Sequence, residues 1–330
     1  MGRTLDRAPP AGRPFRLPAP RAGAPVVVAI ARPCQAERSM TQIIQSFSEI
    51  SGMYDAAFVD LWGCMHDGVR AFPDAVAAMQ DFRAKGGKVI FVTNAPRARK
   101  EVARQIEALG IPDDAWDAIA TSGDSARAAM FRGVVGKKVW FIGQDYDQTF
   151  FEPMALIDDP ETITQTSLEE AEGIVCCGPE DPYADPAVYR PQFLYTKQKG
   201  LKLLCANPDI VVDRGESREW CAGALAQLYT EMGGESLYFG KPHPPIYDLA
   251  RRRLSALEGV QRNPAIICIG DGIGTDVQGA MGEDLDCLFI AGGLAAKETG
   301  MRDGSPDPEK LEAYLNEAMM SPLYTIGFLR

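Results

Sequence analysis

Ala56-Ala57-Phe58-Val59-Asp60-Leu61-Trp62-Gly63 decides the fold of this chain, because four consecutive apolar residues run straight onto a carboxylate. A continuous rather than alternating apolar run is the pattern of a strand buried on both faces. Such strands belong to parallel sheets covered by crossover helices, and ligands of these sheets sit at the carboxyl ends of the strands. Asp60 stands at that end.

The flanking sequence repeats the strand–helix alternation. Asp74 to Lys85 has helical spacing at Ala75, Ala78, Met79 and Phe82 and is stopped by Gly86-Gly87. Lys88-Val89-Ile90-Phe91-Val92 reads as a strand closing on Thr93-Asn94, and Arg97 to Leu109 as a helix stopped by Gly110. Ala118-Ile119-Ala120 reads as a short strand, with Ser122 capping a helix from Gly123 to Phe131. The style resumes late, with a strand at Ala265-Ile266-Ile267-Cys268-Ile269 ending on Gly270-Asp271, a short helix from Val277, and a strand at 287–291. Between these halves, 138–142, 173–177 and 201–205 read as strands and Tyr189 to Lys199 as a helix, a block with the character of an insertion.

Composition sets bounds on function. At 330 residues with 46% hydrophobic and 24% charged positions, the chain is an ordinary globular protein of one large or two modest domains. A net charge of −11 argues against nucleic-acid binding, which needs a basic face. Residues 1–39 differ: seven arginines against Asp6 and Glu37 make this stretch +5 and leave −16 on the remainder. Its richness in Pro, Ala and Arg predicts a disordered arm, either without a role in the fold or serving as a targeting or docking segment. The eight cysteines show no Cys-x-x-Cys spacing, and several lie in apolar runs, so buried free thiols and a reduced, cytoplasmic setting are expected. With only His66 and His243, a histidine-rich zinc site is set aside. No apolar run approaches the roughly 20 residues that span a bilayer, so no membrane partner is expected.

Four groups fall at strand ends: Asp60, Thr93-Asn94, Lys241 after Leu237-Tyr238-Phe239-Gly240, and Asp271. Two carboxylates, a hydroxyl–amide pair and a lysine are what phosphoryl transfer through an aspartyl-phosphate needs. The carboxylates suit Mg²⁺, a hard cation that prefers oxygen. Lysine and metal would spread the phosphoryl charge, and Asp60 would be the nucleophile. Taken singly these are weak signals; Gly270-Asp271-Gly272 alone is more often a turn.

In order and wording, Asp60-Leu61-Trp62-Gly63, Val92-Thr93-Asn94, Gly240-Lys241-Pro242 and Gly270-Asp271-Gly272-Ile273-Gly274-Thr275-Asp276 resemble motifs one to four of the haloacid dehalogenase superfamily. Within it the resemblance is to class IIA, the NagD-like and phosphoglycolate/pyridoxal phosphatase-like members, and it covers roughly residues 54–295. Pro73 follows motif one at the spacing of that class's turn, and Cys205-Ala206-Asn207-Pro208-Asp209 resembles its Thr-Asn-x-Asp element. The resemblance implies an α/β fold with a Rossmann-like parallel-sheet core in two halves, 40–133 and 207–330, and an inserted α/β cap at 134–206. It further implies Asp60 as nucleophile, Thr93, Asn94 and Lys241 on the phosphoryl oxygens, and Mg²⁺ held by Asp60, Asp271, Asp276 and the backbone carbonyl at Trp62. Asp209 is the expected substrate contact where the chain leaves the cap. The expected partner is a small phosphorylated metabolite, and a homodimer through the cap is one option for the assembly.

One position departs from the pattern. The family keeps an aspartate two residues after the nucleophile, which protonates the leaving oxygen and then activates water; here it is Trp62. An indole N–H donates but does not titrate usefully. Three readings follow: a phosphatase slowed by the change or borrowing His66 or Asp67 as its acid, a non-phosphatase hydrolase on the same fold, and a catalytically weak regulatory binder. On the cap, Asp181, Tyr183, Asp185, Tyr189 and Arg190 are the candidates for substrate contact, joined by Asp213 and Arg214 where the chain returns to the core. A dinucleotide-binding oxidoreductase is set aside, because the first strand leads into no Gly-x-Gly-x-x-Gly loop.

Overall fold

The computed structural model describes residues 41–154, 159–214 and 217–330, apart from the side chains of residues 213 and 214. The Arg-rich arm and the Asp213 and Arg214 side chains therefore lie outside the described residues. Two parallel sheets organise the rest. The larger runs in spatial order Gln42–Ile43, Tyr324–Ile326, Asp286–Ile290, Ile266–Gly270, Ala56–Val59, Lys88–Thr93, Ala118–Thr121. Ala56–Val59 thus lies at its centre, pairing with Lys88–Thr93 on one side and Ile266–Gly270 on the other.

Its continuous apolar composition now has a physical account. Successive side chains of a strand point to opposite faces, and both faces here are cores. Ala57 and Val59 pack with Val89, Phe91, Met79 and Ile106, under the helices Pro73–Ala84 and Arg99–Ala108. Ala56 and Phe58 pack with Ile90, Val92, Tyr247 and Leu254, under the helix Pro244–Ser255.

Helix boundaries fall within two residues of the sequence reading, and caps explain the offsets. Pro73 opens the first helix, a place that needs no N–H. The helix Ser122–Met130 is capped by Thr121 rather than Ser122, with the Thr121 hydroxyl accepting the Asp124 N–H at 2.9 Å. After Gly272 the chain makes a π-helical turn, Ile273–Val277, before the short helix Gln278–Gly282. That wider turn was not expected; π-turns are rare and concentrate at functional sites.

The cap boundary needs correction. The second sheet runs in order Glu235–Tyr238, Lys202–Cys205, Gly173–Cys176, Lys138–Ile142, Thr164–Gln165, all parallel. Its last strand in sequence therefore lies well beyond residue 206, and the run before Lys241 belongs to the cap sheet rather than the core sheet. The helix Ala222–Glu231 makes the crossover, burying Leu225, Leu228 and Tyr229 against Phe193 and Leu203. Without Glu235–Tyr238, the Lys202–Cys205 strand would present an unpaired edge.

The centre of the cap is aromatic. Phe193 is fully buried and meets Tyr189, Trp140 and Tyr229 at ring-centroid distances of 5.8, 6.4 and 5.1 Å. Phe193→Ala is expected to destabilise the protein by about 3–5 kcal/mol, read as a lowered midpoint in urea unfolding. A change under 1 kcal/mol would mean that the cap does not depend on this cluster.

Candidate active site

The larger sheet reverses its strand order between Ala56–Val59 and Ile266–Gly270: the chain first moves outward to Ala118–Thr121, then returns to the other side of Ala56–Val59. Crevices form at the carboxyl ends of such switch points. Asp60 and Asp271 leave adjacent strands there, and the Asp60 N–H donates to the Ile269 carbonyl at 2.8 Å, which anchors the start of the loop.

The site is built around one buried lysine. Lys241 Nζ lies 2.7 Å from Asp60 Oδ1 and 2.8 Å from Asp276 Oδ1. The π-turn brings Asp276 into this position, while Asp276 Oδ2 accepts the Gly272 N–H at 3.1 Å. Asp271 Oδ2 accepts the Leu294 N–H at 3.0 Å, and Gly63 makes room for that carboxylate: at φ +70°, a Cβ there would stand 2.0 Å from Asp271 Oδ2. Thr93 is buried beside them, its hydroxyl accepting the Ala95 N–H at 3.3 Å.

The Asn94 side chain is engaged within the protein. Its amide oxygen accepts the Lys241 N–H at 2.7 Å, and its amide nitrogen donates to the Lys241 carbonyl at 3.2 Å and to Asp209 Oδ1 at 2.8 Å. Both hydrogens of that nitrogen are therefore committed, so the side chain positions Lys241 and Asp209 and has no donor left for a phosphoryl oxygen.

Charge in the crevice is unbalanced. Burial raises the carboxyl pKa of Asp60, Asp276, Asp271 and Asp209, and Lys241 pulls each back only in part. For Lys241 itself burial acts downward, but Asp276 and Asp60 outweigh it and hold the ammonium above its ordinary value. One cation among four carboxylates, Asp271 and Asp276 buried and Asp60 and Asp209 partly so, leaves the site short of positive charge. Ligand atoms of Asp60, Cys64 and Asp271 lie within 4.8 Å of one another, a group able to hold a metal ion.

Around Trp62, the neighbours proposed as substitute acids are already engaged. His66 is buried and meets the Trp62 ring edge-on at 5.0 Å, while its Nδ1 accepts the Gly68 N–H at 3.0 Å. Burial pushes its imidazole down to about 4, so it is neutral near pH 7. Asp67 accepts the Val69 and Arg70 N–H groups, which hold its carboxyl below the usual range and keep it ionised. Neither offers a proton at neutral pH. Gly68 is required beneath the indole, since a Cβ there would lie 2.3 Å from Trp62 Cη2.

A cavity of about 530 Å³ lies between core and cap, lined by Asp60, Trp62, Thr93, Asn94, Asp209, Lys241, Asp271 and Asp276. All eight expected site residues therefore meet at one place. The expected cap contacts do not line it. Asp181 and Asp185 accept N–H groups of their own turns, Tyr183 is 63% exposed, Tyr189 is buried with its hydroxyl accepting the Glu180 N–H, and Arg190 faces solvent. The cap wall includes instead Gln144, Tyr146, Asp147, Glu219 and Trp220, with Arg97 among the residues from the core. Gln144 to Asp147 follow the carboxyl end of Lys138–Ile142, so the strand-end rule that found Asp60 would have found them had it been applied to the cap sheet.

Comparison with known proteins bears on the family and fold. A family model described as haloacid dehalogenase-like hydrolase matches residues 57–156, and an HAD-hydrolase-like model matches 238–318. A haloacid dehalogenase-like hydrolase from Brucella suis 1330, known from its crystal structure, is 36% identical with a TM-score of 0.74, the match covering 87% of this chain and 100% of that one. The chain belongs to the haloacid dehalogenase-like hydrolase family. Chloroplastic phosphoglycolate phosphatase 1A of Arabidopsis thaliana is 22% identical over 277 residues, 78% of this chain and 74% of that protein. A glycerol phosphate phosphatase from Mycobacterium tuberculosis, solved in complex with magnesium, is alike in fold at 20% identity and a TM-score of 0.57, over 79% of this chain and 74% of that one. Among the described residues no helix is long and apolar enough to cross a membrane, and all seven cysteines are free and buried.

Removing the shared cation tests the electrostatics. Lys241→Met leaves Asp60 and Asp276 buried without their counter-charge and is expected to cost about 3–5 kcal/mol in metal-free buffer. Thermal unfolding unchanged from wild type would contradict this account of the crevice.

Proposed function

We propose that this chain is a Mg²⁺-dependent phosphatase for small phosphorylated metabolites, working through an aspartyl-phosphate on Asp60. The observation that carries this reading is the Asp60–Lys241–Asp276 contact within a crevice short of positive charge. The phosphatases among the relatives, and the magnesium complex of one of them, support it.

The donor set fits a hard divalent cation. Burial, with Asp271 and Asp60 nearby, holds the Cys64 thiol well above its ordinary pKa, so it stays protonated and is a poor ligand. Oxygens of Asp60, Asp271 and the Trp62 backbone carbonyl would hold the ion, with Asp276 beside them. Bound there, Mg²⁺ would offset phosphoryl charge at the reacting centre.

The chain's own residues do the rest. An Asp60 oxygen attacks phosphorus as the bond to the leaving oxygen breaks, and the electron pair departs with that oxygen. Lys241 neutralises the phosphoryl oxygens and the Thr93 hydroxyl donates to one of them. Asn94 keeps Lys241 and Asp209 in place. Trp62 cannot protonate the leaving oxygen or accept a proton from the attacking water, so the rate should follow the acidity of the leaving group. A second reading, a catalytically weak phosphate-binding regulator, is favoured by Trp62 alone.

In Mg²⁺, hydrolysis of p-nitrophenyl phosphate and acetyl phosphate is expected, and Asp60→Asn should abolish it. Trp62→Asp is expected to raise kcat on alkyl phosphates on the order of 10²-fold, the lower end of what general acid–base catalysis supplies. No turnover by wild type across a phosphomonoester panel, with Mg²⁺ bound and no gain from Trp62→Asp, would favour the regulator.

A further inference from the structure

The cap side of the cavity holds a carboxylate with one oxygen unused. Asp147 is only 4% exposed and lines the cavity; its Oδ2 accepts the Gln144 N–H at 3.0 Å, while among the described residues Oδ1 has no hydrogen-bond partner. Leaving a buried polar atom unmatched costs on the order of 1–3 kcal/mol, a cost that a bound donor would remove. Asp60 directly follows the core strand Ala56–Val59, while Asp147 lies in the 3-10 helix Asp145–Phe151 that follows the carboxyl end of the cap strand Lys138–Ile142, and both line the same cavity.

The surrounding charge narrows the donor's chemistry. Seven Asp or Glu residues line the cavity, against Arg97 and Lys241. Lys241 is taken up by Asp60 and Asp276. Arg97 stacks its guanidinium over the Tyr146 ring, 4.9 Å from the centroid, and lies near enough to oppose the rise that burial imposes on the Asp147 carboxyl. A divalent cation and a phosphoryl group roughly cancel, so the rest of the cavity stays acidic. A second carboxylate or phosphate on the substrate would meet that field, in which Arg97 is the one cation besides Lys241 facing seven acidic side chains. A hydroxyl would instead donate to Asp147 Oδ1 and lie beside Arg97 as a donor to its own oxygen.

We propose that Asp147 and Arg97 form a second subsite that takes a hydroxyl of the leaving portion, so that phosphate monoesters of uncharged polyols or sugars are selected over those carrying a second anionic group. This rests on the phosphatase reading above. Asp147 is thereby a specificity residue, with its effect in KM, whereas Trp62 governs kcat.

Asp147→Asn tests it, because the amide retains an oxygen for the Gln144 N–H and places an NH₂ where the unused oxygen stands. Kinetics in Mg²⁺ would compare ribose 5-phosphate and sorbitol 6-phosphate with 2-phosphoglycolate and p-nitrophenyl phosphate. Wild type should prefer the first two over 2-phosphoglycolate. In Asp147→Asn, the ratio of kcat/KM for ribose 5-phosphate to that for p-nitrophenyl phosphate should fall about tenfold, mostly through KM. A wild-type preference for 2-phosphoglycolate, an unchanged ratio, or an equal loss on every substrate would overturn the subsite. If wild type hydrolyses none of the four, the phosphatase reading fails by itself, and calorimetry in Mg²⁺ then decides the subsite. Ribose 5-phosphate binding about tenfold more weakly to Asp147→Asn than to wild type, with inorganic phosphate as reference, would keep it; equal binding would end it.

Discussion

The ammonium of Lys241, buried between Asp60 and Asp276, is the contact on which the rest of the site depends. Three stretches far apart in sequence must converge on one point to make it, and each arrives from a different kind of element: a core strand, the exit of a cap strand, and a π-helical turn. Charges taken out of water are expensive unless paired and hydrogen-bonded. That cost accounts for the supporting bonds, from Asn94 clasping the Lys241 backbone to the Gly272 N–H on Asp276. It also accounts for the glycines: Gly63 and Gly270 stand where any side chain would strike Asp271 or Asp276.

The indole at position 62 is a built feature rather than a hole where an acid once stood. Its ring rests on Gly68 and against His66, and His66 is itself fixed by the Gly68 N–H. The same burial that makes this packing good deprives His66 of its charge. Recruiting His66 as a proton donor would require opening the packing around Trp62. On the proposed mechanism, phosphate capture and acid–base turnover therefore become separable properties within one site.

Core and cap contribute to the cavity by the same rule. Each sheet is parallel, and the loops leaving its carboxyl ends line the shared space, Asp60 and Thr93 from one and Gln144 to Asp147 from the other. On the proposed function and subsite, binding energy for the reacting phosphoryl group resides on one wall and selection of the leaving portion on the other, which allows the two to vary independently.

Much of this was legible in the sequence. The core strands were evident because burial on both faces demands an unbroken apolar run, as at Ala56–Val59 and Ile266–Gly270, and that demand is local. Asp60, Thr93, Asn94, Lys241 and Asp271 were candidates because carboxyl-end chemistry sits directly after such runs, whereas Trp62, Asp209 and Asp276 were expected only from the resemblance of the surrounding motifs. Three features were not. Glu235–Tyr238 joins the cap sheet because Lys202–Cys205 needs a partner, and pairing between strands separated by a helix leaves no local mark. His66 is neutral because burial, which depends on the whole packed molecule, removes the water that would solvate its charge. Asp147 lines the cavity and Asp181 does not, because the orientation of the cap over the core decides which strand-end loops face inward. The sequence by itself determined the chemistry present at each strand end; only the tertiary structure decided which of those ends face one another, since that follows from contacts between residues far apart in the chain.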